Sequence, residues 1–134
     1  EAMDPALLQL IGSLAAILVL AGIAWALKLG TGPHLADGED AMGRAYEADT
    51  GFDPVEAVCS RDGKGAILTD ARGRIMVLRR HGSHFAGRVL EPGAQALLDG
   101  AILTVVTTDR RYGRVTLDLG DDARAWASRI DALD

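Results

Sequence analysis

From Pro5 to Leu27 the chain runs PALLQLIGSLAAILVLAGIAWAL, with no formal charge and only Gln9 and Ser13 as strongly polar side chains. About 20 apolar helical residues cross the ~30 Å hydrocarbon core of a bilayer, so this run predicts a transmembrane helix over 6–29 behind a short tail, 1–5. The flank before it is acidic (Glu1, Asp4), whereas a signal peptide opens with positive charge, and the run is longer than a signal peptide's apolar core. An uncleaved anchor is therefore expected. Met3 fits a native start, with Glu1 and Ala2 as added residues. At 100° per residue, Gly12, Ala15, Ala16, Val19, Gly22 and Ala26 fall within one arc of the helix, and small residues of that kind let helices approach closely in lipid. They are the expected packing face toward a membrane-protein partner or a second copy.

Past Lys28 the pattern changes. Gly30, Gly32 and Pro33 break the helix, and the stretch 30–54 reads as an acidic linker. Within it Asp37 can cap a short helix that ends near Asp49, with Met42, Ala45 and Tyr46 on one face. The linker is expected to act mainly as a solvated spacer. From 55 to 134, Gly- and Asp-rich joints separate seven runs of strand length: VEAVCS, AILTD, RIMVLRR, HFAGRVL, AQALL, AILTVVTT and GRVTLDLG. In the last of these Val115, Leu117 and Leu119 alternate with Thr116 and Asp118, and the sixth is β-branched through its centre. After Gly120 the apolar spacing turns helical: Asp121 is the expected N-cap, and Trp126, Ile130 and Leu133 form one stripe over 121–133. Trp126, among few aromatic residues, is expected to plug the core.

The charge refines this picture. The chain carries a net charge of -5. Between His34 and Pro54 stand Asp37, Glu39, Asp40, Glu47, Asp49 and Asp53 against Arg44 alone, so the acidity belongs to the linker and the β domain is close to neutral. Nothing here points to nucleic acid. Lys28 is the only charged base near either end of the apolar run, which favours a cytoplasmic domain and, on the whole pattern, the inner membrane of a bacterium. Cys59 is the single cysteine, so no internal disulfide can form.

Bases gather at the hairpin joints: Arg61 and Lys64, then Arg72 and Arg74, then Arg79 and Arg80. Surface charge is the ordinary reading of such residues, and a patch for anionic lipid or an acidic partner is the functional one. His81 and His84 flank a turn without further ligands to complete a zinc set, so no metal is expected. Cys59 is expected to be a small buried core residue rather than a nucleophile. Ser60, Ser83 and Ser128 lack a nucleophile-elbow context, and Gly63-Lys64-Gly65 is too short for a phosphate loop. No catalytic residue and no cofactor are expected.

Seven short strands followed by a helix that carries Trp126 resemble the pleckstrin-homology-like barrel, over Val55 to Leu133. The resemblance implies a sheet bent over itself, a C-terminal helix closing one end, and a role in docking to lipid headgroups or proteins. A six-stranded roll is the alternative. The expected function is thus a single-pass membrane protein whose domain is a non-enzymatic docking or assembly module. A lipid-binding module comes second, and an enzyme using Cys59 or His81 and His84 third.

Overall fold

A proline at the first helical position and an aspartate just before it begin the first element. In the computed structural model, which describes residues 4–27 and 33–133, helix α1 spans Pro5–Ala26, and Asp4 accepts a hydrogen bond from the Ala6 amide at 3.0 Å. The helix is long and apolar enough to cross a membrane, with mean hydropathy 2.4, and none of its residues is buried. Gly12, Ala15, Ala16, Val19, Gly22 and Ala26 lie on it exposed, and a Cβ added at Gly12 or Gly22 would meet nothing. The expected start at Met3, the helix end at Leu29, and the helix break and basic flank at Lys28, Gly30 and Gly32 lie outside the described residues.

The chain forms a second compact unit from Pro33 onward, described here by itself. The strands are β1 Pro54–Cys59, β2 Gly65–Asp70, β3 Ile75–His81, β4 His84–Val89, β5 Gln95–Asp99, β6 Ile102–Val106 and β7 Arg114–Asp118. Two antiparallel meanders result, a four-stranded sheet β1-β2-β3-β4 and a three-stranded sheet β5-β6-β7. Tight joints set the registers. At the β3–β4 turn His81 pairs with His84 across Gly82 and Ser83, and Gly82 adopts the positive φ of 63° that a two-residue hairpin requires. No strand pairing joins the two sheets among the described residues, so the chain makes two sheets and not a closed barrel.

Helix α2, Gly38–Ala48, corrects the reading of 30–54 as a spacer. Asp37 caps it as expected, accepting from the Asp40 amide at 2.9 Å. Its buried side chains are Ala41 and Ala45, with Met42 beside them, whereas Tyr46 stays 53% exposed rather than sharing that face. Ala41, Ala45, Leu35 and Phe52 pack on Ala66, Leu68, Met76, Leu78 and Phe85 of the first sheet. The opposite face of that sheet, through Ile67, Ile75 and Val77, packs on Leu103, Val105, Val115 and Leu117 of the second sheet. The four-stranded sheet is therefore covered on both faces, which is why β2 and β3 are apolar without alternation. The domain accordingly begins at Pro33 and not at Val55.

A 3-10 turn, Gly120–Asp122, leads into helix α3, Ala123–Asp131. Asp121 lies within that turn and makes no capping hydrogen bond, contrary to expectation, because the helix proper begins two residues later. The expected stripe is otherwise in place: Trp126 is 2% exposed, Ile130 1%, and Leu133 packs at the rim of the same core.

Candidate functional site

The β2–β3 hairpin carries most of the expected basic patch, and its register separates the patch in two. Gly65 pairs with Arg79, and the Arg80 amide donates to the Lys64 carbonyl at 2.9 Å, so Lys64, Arg79 and Arg80 share one end. Arg72 and Arg74 sit in the turn at the other end, beyond the Thr69–Ile75 pair. The five-residue step from Arg74 to Arg79 is roughly 17 Å at ~3.3 Å per residue, too far for one small ligand to bridge.

Most of these cations already have structural roles. Arg74 donates from Nε to Asp70 Oδ2 and from Nη2 to the Gly51 carbonyl, both at 2.8 Å, and lies 5.6 Å from the Phe52 ring centroid. Asp70 also accepts the amides of Arg72 and Arg74. Burial works to raise the Asp70 pKa, but these bonds and the Arg74 charge outweigh it and hold the carboxyl below its ordinary 3.8. Arg79 lies 4.3 Å from the Tyr112 ring centroid and donates from Nη1 to the carbonyls of Tyr112 and Arg114 at 2.7 and 2.9 Å. Arg80 reaches the Pro33 carbonyl at 3.3 Å. Arg61, 71% exposed, is held only loosely to Asp118 at 3.9 Å. Lys64 is exposed, and Arg114 meets Arg79 only through its backbone carbonyl, its own side chain lying on the exposed face of β7. The structure thus places Arg61, Lys64, Arg79 and Arg80 near one end of the hairpin, with Arg79 and Arg80 on opposite faces of β3, and leaves Arg72 and Arg74 at the other end.

Tyr112, which sequence reading passed over as part of a turn, fastens the two sheets together. Its hydroxyl donates to the Ala86 carbonyl of β4 at 3.0 Å and lies 3.3 Å from the Val77 carbonyl of β3. Burial, only partly offset by Arg79 and Arg88, pushes its phenol up to about 12. The one signal in the sequence was an aromatic residue inside an otherwise polar joint, DRRYG.

Cys59 is half-buried in β1 rather than enclosed, and its Sγ donates to the Asp37 carbonyl at 3.2 Å. Burial, then the charges of Asp37 and Asp40, push the thiol above its ordinary 9.0, opposite to the activation a nucleophile needs. His81 and His84 are exposed, and no group of three His, Cys, Asp or Glu side chains suited to a metal occurs among the described residues. Two open clefts have their charged groups already engaged. One of about 330 Å³ lies beside Arg88 and Asp109, which pair at 2.9 Å. Another of about 410 Å³ lies beside Glu56 and Arg129, paired at 3.1 Å. No family model, curated protein or solved structure matches the chain.

Proposed function

We propose that this chain is a single-pass membrane protein whose domain is a non-enzymatic docking or assembly module, held at the cytoplasmic face of a bacterial inner membrane. The observation that carries the reading is α1, with its mean hydropathy of 2.4 and no buried residue. Such a surface calls for lipid or a partner helix around it. The four strands, three strands and Trp-bearing helix favour a pleckstrin-homology-like layout in an open form, and folds of that kind serve as docking platforms. The test is the size of the complex extracted from native membranes in mild detergent. Gly22→Ile and Gly12→Ile should shrink it by blocking close helix approach, and unchanged size would overturn the assembly role of that face.

A second reading, binding of anionic lipid, is favoured by the basic end. Arg80 bonds the Pro33 carbonyl and the Leu35 amide donates to the Gly63 carbonyl, so Arg61, Lys64 and Arg80 lie near where the chain enters the domain. Each base near an anionic surface contributes about 1 kcal/mol. The domain should float with anionic but not neutral vesicles, less so with added salt, and Lys64→Glu should weaken it. Equal flotation with both vesicle types would overturn this reading.

A further inference from the structure

The chain has three histidines, His34, His81 and His84, and the fold sets two of them face to face. His81 ends β3 and His84 begins β4, with only Gly82 and Ser83 between them. The ladder pairs the two histidines directly across this tight turn. Paired residues of antiparallel strands share a face, with Cβ atoms about 4.5–5.5 Å apart. Both residues are exposed, and among the described residues neither imidazole has a hydrogen bond, ion pair or ring contact. The neighbouring cations are turned to other partners. Arg79 lies against the Tyr112 ring and donates to the Tyr112 and Arg114 carbonyls, and Arg80, on the other face, reaches the Pro33 carbonyl. On the α2 side a cleft of about 150 Å³ is lined by His84, Arg44 and Glu47. Arg44 is held there by Asp40 and the Phe85 ring, whereas Glu47 makes no ion pair among the described residues.

We propose that His81 and His84 together bind one divalent late transition metal ion at the tip of the β3–β4 hairpin. Each imidazole supplies one ring nitrogen, and water completes the coordination shell. Metal–nitrogen bonds of ~2.0–2.1 Å bring two such nitrogens to about 3 Å from each other, a separation that imidazoles on facing strand positions can reach. The ligand type selects the ion. Imidazole suits nickel, copper and zinc, whereas magnesium and calcium take oxygen ligands. Two protein ligands do not close a structural zinc site, which takes four, so this is an open site on a domain whose two cores are complete without it. The ion joins β3 to β4 through side chains as well as backbone, and by binding only the folded hairpin it stabilises the domain by mass action. The site goes beyond the proposed function and depends on neither α1 nor the basic residues.

The experiment uses the full chain in detergent, purified without a histidine tag, and titrates it with nickel, zinc and magnesium chlorides by calorimetry. Nickel and zinc should each bind at one ion per chain, and magnesium should not bind. His81→Gln and His84→Gln should each abolish that binding, whereas His34→Gln and Cys59→Ala should leave it unchanged. Zinc should raise the melting temperature of the parent chain and leave that of His84→Gln where it was. In the unsubstituted chain, nickel should broaden the imidazole proton resonances of His81 and His84 together and at the same concentration, before those of His34. Absence of saturable nickel or zinc binding overturns the proposal. So does binding that survives either His81→Gln or His84→Gln, or that is lost with His34 or Cys59. His81 and His84 are exposed, so both variants should keep the parent's circular dichroism, and the resonance measurement tests the pair without any substitution.

Discussion

Tyr112 shows how much one side chain can decide in a domain of this size. Its hydroxyl bridges to backbone carbonyls of the first sheet while Arg79 covers its ring. Because the folded phenol titrates at about 12 against an ordinary 10.0, the folded state holds its proton more tightly. The resulting stability is complete below pH 10 and is lost as pH rises toward 12, on the order of 2 kcal/mol in all. Tyr112→Phe should cost about 1 kcal/mol at neutral pH through the lost hydrogen bond, and its stability should change less between pH 10 and 12 in thermal melts followed by circular dichroism. Cys59 makes the complementary case. Its raised pKa predicts slow reaction with thiol reagents at pH 7 that accelerates above pH 9, measured against a free thiol of the same concentration. Trp126, sealed at 2% exposure, should cost ~3–5 kcal/mol on change to alanine, enough to unfold the domain, read as loss of cooperative melting.

At the scale of elements, the crossing of the two sheets depends on Gly65. A Cβ there would stand 2.8 Å from the Leu78 carbonyl oxygen and 2.8 Å from a Leu117 methyl, and the carbonyl belongs to the backbone of β3 and has little room to yield. Gly65→Ala should therefore destabilise by ~1–3 kcal/mol in denaturant titration, while Gly43→Ala, at an open position in α2, should not destabilise. Strand and helix positions were legible from local pattern: β7 alternates cleanly, and the stripe of Trp126 and Ile130 marks α3. The role of α2 was hidden. Its buried side chains, Ala41 and Ala45, are small, and its exposed face is acidic, so its composition matches that of a solvated spacer. The cue lay in its partners, since Ala66-Ile67-Leu68 and Ile75-Met76-Val77-Leu78 are apolar on both faces and need cover on both sides.

For the molecule as a whole, the boundary of the folding unit follows from that cover. A chain beginning at Pro33 should melt cooperatively. One beginning at Val55 would expose Leu68, Met76, Leu78 and Phe85 and should aggregate or lose its transition, which size-exclusion chromatography and thermal melts will distinguish. The basic residues teach the same lesson about distance. Read along the chain, the three pairs from Arg61 to Arg80 form a single series. In the fold, the hairpin register sends Arg72 and Arg74 to the far end, where Asp70 and Phe52 hold Arg74.

The sequence by itself determined the apolar helix, the seven strands, the terminal helix and its buried tryptophan, because periodicity and turn chemistry act over a few residues. Only in the tertiary structure do the strands divide into two sheets, does the acidic stretch fold back as α2, and does Tyr112 fasten the sheets. Each of these depends on residues far apart in the chain meeting in space, and no local pattern records that encounter.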